Sequence, residues 1–517
     1  MPSYAVIENP NRKLSQNNAL GQHADLWAAL RTIEESDAEI ILLFEPGLWH
    51  ETLPALPEGY ENFDLLHRGL CFGGPEAFNI LWYISVNWLF LNPRPDRMST
   101  SWKATPQWCM IRPHQVRALG GFDKVYVCAE SSLMDFAYRL LISGGRVNHF
   151  PMPDLDNRNF NIPLVDEFLF ILRQVNKRSA VYAAFWNALS SLQIWIGLNA
   201  LITAFKRSKT TELPPSLPSN KLNSQLISHG NIQKVSGITA IIPTIDRYDY
   251  VQKSIDSLMD QNPPPDEIIV IDQTPEVSRK TDVYRNYDPK NVRIFFLNEA
   301  GQSSARNFGI SKANNDWLLL FDDDAEAREY MIANHIKVIE NSSAKVSAGI
   351  ALAPWKDETY IHETNRKLKI SSILDTGNCL VNKRIVELIS CLDLAYNKGS
   401  GADHDLGLRL YLEGHEIIFN PKAIHTHYKA PTGGLRTHGV FWRNTVKWLG
   451  SYPQPTLIYT TQRFYPKKYW IAQHLLYYFN ANKNKFSPEL VWLWLSMPIR
   501  LTKAIIKAKD IHKRRSV

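Results

Sequence analysis

Three consecutive carboxylates, Asp322, Asp323 and Asp324, close the run LLLFDDDAE. Neighbouring carboxylates repel, and each raises the other's pKa unless a cation relieves them. A hard divalent cation with oxygen ligands does this. An isolated acidic triplet reads equally well as a solvated turn, so its surroundings must decide. Upstream, IIPT ends at Pro243-Thr244 and EIIVIDQT ends at Asp272-Gln273-Thr274. Three apolar runs thus terminate in polar residues that could meet one ligand.

The elements that would position these groups are legible in the spacing. GITAIIPTI, DEIIVID, VRIFFLN and DWLLLFDDD read as strands, and Tyr250–Gln261 and SSARNFGISKANN as helices. Continuous apolar strands, each followed by a helix, predict an α/β domain with a mostly parallel sheet covered on both faces. In such sheets ligands bind beyond the carboxyl ends of the strands, where the three polar termini lie.

Taken in order, IIPTIDR, IIVIDQT, NEAGQSSARNFGI, LLLFDDD, TGNCLVNKR and GADHDLGLRLYLEGHEIIFNP resemble family 2 glycosyltransferases of the GT-A fold. The resemblance covers Ile238 to Arg436. It implies a Rossmann-like sheet, a nucleotide-diphosphate-sugar donor (UDP-linked) and Mn²⁺ or Mg²⁺. By the same resemblance, Asp324 and His427 are metal ligands, and Asp322 or Asp323 contacts ribose. Thr244 lies beside the base or ribose, Asp272 accepts from the base, and Arg306 sits near the base and the Asp272 carboxylate. Arg436, in a loop closing over the donor, lies near the phosphates. Asp403 takes the place of the catalytic base. The family usually has Glu-Asp there, and this chain has Ala402-Asp403, which removes a helper carboxylate and keeps the base. Asp405 is expected as a helix N-terminal cap or dipole partner, with Arg409 one turn on as its pair. His425 is expected on the face opposite His427.

At 517 residues the chain should hold more than one domain. A net charge of +7 is mild for that length and does not point to nucleic acid. Five cysteines without CxxC or metal spacing fit a reducing compartment. The first residues show no signal-peptide pattern. Residues 183–205 are uncharged and long enough to span a bilayer, but polar interruptions favour a buried or interfacial helix.

The N-terminal half repeats part of the second. CMIRPHQ…NHFP from Cys109 aligns without a gap on CLVNKRI…IFNP from Cys379, at a constant offset of 270. Asp123, Asp135, Arg139, Gly144 and Pro151 recur as Asp393, Asp405, Arg409, Gly414 and Pro421. The chemical positions do not recur: Asp403 faces Leu133, Asp324 faces Gly47, and His427 faces Asn157. A truncated, catalytically dead GT-A-like copy is expected, with these domains: 1–160 degenerate copy, 161–235 helical segment and Pro/Ser/Asn-rich linker, 236–440 catalytic domain, 441–517 helical basic tail. The tail, with Trp492, Trp494 and seven Lys or Arg against Asp510, reads as an amphipathic helix for an anionic membrane surface.

The combined expectation is an inverting, metal-dependent transferase acting on a saccharide or lipid-linked acceptor in bacterial surface polysaccharide or glycolipid synthesis. It would be cytoplasmic, held peripherally on the inner face of the plasma membrane, and compatible with a homo-oligomer. The competing expectation is a non-catalytic carbohydrate-binding scaffold.

Overall fold

The computed structural model describes residues 4–8, 19–23, 25–46, 56–69, 78–84, 88–152, 161–191, 193–209, 234–342, 344–362, 365–372, 374–433, 455–482 and 488–515. The chain divides into one unit of Met1–Gly230 with Leu412–Gly414 and a second of Asn231–Tyr411 with His415–Val517.

Short runs in the first unit form the strands Tyr4–Glu8 (β1), Ala19–His23 (β2), Ile41–Phe44 (β3), Leu65–His67 (β4), Ser99–Thr100 (β5), Trp108–Ile111 (β6) and Val147–His149 (β7). They make one sheet in the order β2-β1-β3-β6-β4-β7-β5. Only β4 and β7 run parallel.

In the second unit the apolar runs Ile238–Thr244 (β8), Glu267–Asp272 (β9), Val292–Phe296 (β10) and Trp317–Phe321 (β11) form neighbouring parallel strands in the order β10-β9-β8-β11. The sheet continues past β11 with mixed directions. Ala325–Ala327 (β12), Val346–Leu352 (β13), Lys369–Ser371 (β14), Asn378–Asn382 (β15) and Ile417–His427 (β16) complete it. Strand β15 is antiparallel to β11 and to β13, and β13 and β16 are parallel to each other. Both β12 and β14 pair antiparallel with β16.

The central strands show no alternation of buried and exposed positions, because both faces are covered. All five residues from Ile238 to Ile242 are buried. Val251, Ile255 and Leu258 of the helix Tyr248–Met259 cover one face, and Ala305 and Ile310 of the helix Gln302–Lys312 the other. The aspartate triplet follows β11 directly. Ser254 fixes its backbone by donating to the carbonyls of Asp323 (2.9 Å) and Ala325 (2.5 Å).

The uncharged segment 183–205 is two helices, Lys177–Ser191 and Ile194–Ser208, where one was expected. The Ser191 hydroxyl donates to the Asn187 carbonyl at 2.7 Å and accepts from the Gln193 N–H at 3.3 Å, which competes with helix continuation. Among the described residues no helix is long and apolar enough to cross a membrane. The C-terminal helix Pro488–Arg515 buries Ala504, Ala508 and Ile511 against Tyr396, Ala402, Ile458 and Tyr459, so part of its apolar side is already covered. The side chains of Trp492 and Trp494 lie outside the described residues, as do Gly47, Asn157 and Arg436.

Candidate donor and metal site

A cavity of about 350 Å³ opens at the carboxyl ends of β8 and β11, lined by Thr244, Arg247, Arg306, the three aspartates and His427, with Gln273 and Gln302 beside them. The triplet does not act as one unit. Asp322, Asp324 and His427 each offer a ligand atom, and these atoms lie within 4.8 Å of one another. Asp323 turns the other way, accepting from Thr244 Oγ1 and from Arg247, each at 2.8 Å. Arg247 also approaches Asp324 at 3.2 Å, and Arg306 donates to Asp322 at 2.7 Å.

The electrostatics separate the carboxylates further. Burial lifts the Asp323 carboxyl to about 6, with Arg247 opposing and Asp324 adding to the rise. Burial acts on Asp324 in the same direction, but His427 and Arg247 outweigh it and hold that carboxyl at about 2. His427 is in turn raised by its contact with Asp324, 3.4 Å away. The ion pair is carried by strand pairing, which sets His427 of β16 opposite Ala325 of β12. Two carboxylates and an imidazole are a donor set that suits Mn²⁺, so these residues fit a divalent ion.

Asp403 stands at the start of the helix Ala402–Leu412 and accepts from the Thr376 hydroxyl. The Thr376 carbonyl accepts from Arg306 at 3.3 Å, which links Asp403 to Asp322 through two residues. Burial raises the Asp403 pKa, the Asp322 charge adds to the rise, and Thr376 and Arg306 oppose it. A carboxylate shifted upward is better matched to accepting a proton near neutral pH.

Arg306 and His425 have neighbours other than those the sequence suggested, and Asp405 lies inside the helix Ala402–Leu412, its N–H already donating to the Gly401 carbonyl, so it is not the cap. Asp272 is fully buried, and its oxygens accept from the Thr274 N–H at 2.9 Å and the Tyr284 hydroxyl at 3.2 Å. Arg306 donates to the Asp322 carboxylate and to the Thr376 carbonyl, and no hydrogen bond joins it to Asp272. Asp322 joins the metal-competent cluster in addition to facing the donor cavity. His425 is on the same side of β16 as His427, with ring centroids 6.0 Å apart, since residues two apart in a strand share a face. It is buried, and burial lowers its pKa to about 3. Asp405 does pair with Arg409, at 2.7 Å.

Sequence reasoning passed over Arg247 and Asp375. Arg247 belongs to the quoted IIPTIDR run, but its charge was not connected to the triplet. Asp375 precedes β15, and burial with the nearby Asp322 and Asp403 charges lifts its carboxyl to about 6. A signal for it existed in the aspartate of ILDTGNC, just before an apolar strand.

The glycosyl transferase family 2 model matches residues 239–386, which carry the triplet, Thr244 and Arg306. This domain belongs to glycosyl transferase family 2. Over 227 residues, 37% of this chain, it is 23% identical to the dolichyl N-acetyl-alpha-D-glucosaminyl phosphate 3-beta-D-2,3-diacetamido-2,3-dideoxy-beta-D-glucuronosyltransferase of Methanococcus voltae. It is 22% identical over 238 residues, 41% of this chain, to glycosyltransferase GlyA of Streptococcus pneumoniae serotype 4. The matched regions span 66% and 32% of those relatives. Among solved structures, the mannosyltransferase PcManGT of Pyrobaculum calidifontis, in complex with GDP-Man and Mn²⁺, is 13% identical at a TM-score of 0.36, covering 54% of this chain and 89% of that one.

Proposed function

We propose that the second unit transfers a sugar from a nucleotide-diphosphate sugar to an acceptor hydroxyl with inversion at the anomeric carbon. The observation that carries this reading is the convergence of Asp322, Asp324 and His427 on the cavity that Thr244 and Arg306 also line. Asp324, His427 and Asp322 would hold a divalent ion, Mn²⁺ or Mg²⁺. When bound, that ion stabilises the negative charge that grows on the departing diphosphate.

The chain's own residues do the rest. Arg306 holds the Asp322 carboxylate in place, and Arg247 draws Asp323 away from it. Asp403 takes the acceptor's hydroxyl proton as the oxygen attacks and the nucleoside diphosphate leaves. Thr376 orients that carboxylate. The acceptor is read as a saccharide or lipid-linked sugar of a bacterial surface polysaccharide or glycolipid. The name of the Methanococcus voltae relative, which places a dolichyl phosphate in its substrate, supports a lipid-linked acceptor. A UDP-linked donor and a cytoplasmic location at the inner membrane face belong to the same reading. The exposed Leu495, Ile499 and Ile506 of the C-terminal helix support membrane contact by the tail. The first unit is read as a non-catalytic copy that serves acceptor binding, rigidity or self-association.

The test is thermal stabilisation of the protein by UDP-, GDP-, dTDP- and CMP-sugars, each with and without Mn²⁺. A Mn²⁺-dependent shift with one nucleotide class, lost in Asp324→Ala, supports the donor site and names the base. Absence of a shift with every donor, in a folded protein, overturns it in favour of a binding scaffold.

A further inference from the structure

The paired helices Lys177–Ser191 and Ile194–Ser208 are inside out for an element facing water. Apart from Leu201, their buried positions are small: Ala180, Ala183, Gly197, Ala200 and Ala204. Their other large apolar residues point mostly outward, with Phe185 at 61%, Leu189 at 58%, Ile194 at 58%, Trp195 at 81% and Ile196 at 59% exposure. Small residues inside and large apolar ones outside is the arrangement used where the surrounding medium is itself apolar. So concentrated an exposed apolar surface marks a site of contact.

Charge is distributed to match. No charged residue lies between Ser179 and Phe205. The exposed cations Lys177, Arg178, Lys206 and Lys209 sit at the outer ends of the two helices, and no acid occurs from Lys177 to Lys209. The chain turns back between Ser191 and Ile194, and the two helices pack on each other. Both cationic ends therefore lie together, opposite the apolar tip. The Ser191 hydroxyl donates to the Asn187 carbonyl at 2.7 Å, and the Ser190 hydroxyl bonds the Tyr83 hydroxyl at 2.5 Å and the Asn187 carbonyl at 3.2 Å, so their polarity is met within the protein.

Length fixes how deep such a hairpin can go. Each helix has 15 residues, about 22 Å at about 1.5 Å per residue, against a hydrocarbon core of about 30 Å. It is too short to cross, and because both helices also pack on the helix Leu164–Gln174, a leaflet would take up its exposed face and its turn.

We propose that the hairpin 177–208 is a monotopic membrane anchor. Its tip, led by Trp195 and Ile196, enters the acyl region of one leaflet, and the lysines and arginine at its base meet anionic headgroups. Charge favours a lipid surface over a second copy of the chain, which would bring cations of the same sign to the same place.

The experiment is co-sedimentation of the full chain with DOPC vesicles and with 3:1 DOPC:DOPG vesicles. Wild type should bind the anionic vesicles more tightly than the neutral ones. The double variant W195E/I196E should lose roughly tenfold or more of that affinity, with its thermal melting unchanged. K206E/K209E should lose the preference for DOPG-containing vesicles while retaining what binding DOPC shows. Three results would overturn the proposal: no vesicle binding by wild type, undiminished binding by W195E/I196E, or loss of all binding in I499E/I506E alone, which would assign the contact to the C-terminal helix. A wild-type dimer that becomes monomeric in W195E/I196E, without vesicle binding, would assign the surface to self-association instead.

Discussion

The two sheets share five strands and differ in what lies beside them. The series β3-β6-β4-β7-β5 of the first unit has the same pair directions as β11-β15-β13-β16-β14 of the second: antiparallel, antiparallel, parallel, antiparallel. The registers correspond too, with Leu43 opposite Cys109 and Leu320 opposite Cys379. Beyond β3, however, stands the antiparallel hairpin of β1 and β2, where β11 is followed by the parallel strands β8, β9 and β10. The strands that carry Thr244 and Asp272 therefore have no parallel counterpart among the described residues of the first unit. The strand series is common to both sheets, and the strands that carry Thr244 and Asp272 belong to one of them.

The largest effects should fall on positions whose residue types occur in one unit alone. Asp324→Ala should reduce glycosyl transfer by about 10³-fold or more, since it removes a carboxylate from the metal set. Asp403→Asn should lower kcat by about 10²–10⁴-fold while leaving donor affinity intact, as expected for loss of a base. Glu45, which the register places where Asp322 stands, is the contrasting substitution: Glu45→Gln should leave transfer unchanged. Initial rates and donor titrations check all three. An equal loss in Glu45→Gln would break the contrast and make the first unit a participant in the chemistry.

Next come residues that correspond in the two units, on the helices Ala129–Ile142 and Ala402–Leu412. Asp135 and Arg139 pair at 2.8 Å, and Arg139 also donates to the Leu119 carbonyl. Asp405 and Arg409 pair at 2.7 Å, and Arg409 donates to the Ile389 carbonyl. All four side chains are nearly or fully buried. Removing one member of a buried pair strands the other charge, so Arg139→Met and Arg409→Met should each cost about 3–5 kcal/mol. Urea unfolding, read separately for each unit's transition, would show a loss in one unit per substitution. A large asymmetry would sharpen the comparison, because Asp405 has Arg463 at 2.6 Å as a second cation, whereas Asp135 has the neutral Gln174 at 2.7 Å.

The parallel strands were legible because continuous apolar runs need no partner to be recognised, and β8, β9 and β11 fall within the expected segments. The triplet was legible for the same reason, as charge at the end of such a run. How it divides was not. That Asp323 turns to Thr244 and Arg247 depends on side chains 76 to 79 residues away in the chain. Asp272 is taken up by Tyr284, which comes from a short 3₁₀ segment, Thr281–Tyr284, with little signature of its own. Burial of Ala504 and Ala508 could not be read from the amphipathic tail either, since the same apolar stripe suits a lipid surface or a protein one.

A smaller effect belongs to the first unit. Burial raises the Glu167 carboxyl to about 8, against the opposing hydrogen bond from the Ile80 N–H at 2.8 Å. Its folded pKa lies above the unfolded value, so its contribution to stability is complete below about 4.5 and is lost as pH rises through about 8. Glu167→Gln keeps an acceptor for Ile80 and removes the titration. It should stabilise the first unit above pH 8 by about 2–4 kcal/mol and change little at pH 4. Thermal melts across that range check the sign, and a gain that is independent of pH would refute the cause.

The smallest expected difference sits at one turn that both units contain, after the helices Pro113–Ala118 and Lys383–Leu388. Gly120 and Gly121 adopt φ of 80° and 81°, and the corresponding residues of the second unit, Ser390 and Cys391, adopt 64° and 55°. Left-handed backbone costs a residue with a Cβ about 1–2 kcal/mol, and glycine nothing comparable. The second unit therefore bears a strain that the first avoids. Ser390→Gly and Cys391→Gly should each stabilise by about 0.5–1 kcal/mol, after the added chain entropy of glycine is subtracted. The reverse change should cost more at Gly121 than at Gly120. A Cβ there would come within 2.6 Å of Glu34 Oε1, and that carboxylate already accepts from the Phe122 N–H. Gly121→Ala must either displace Glu34 and give up that bond or distort the turn, so denaturant midpoints should fall further for it than for Gly120→Ala.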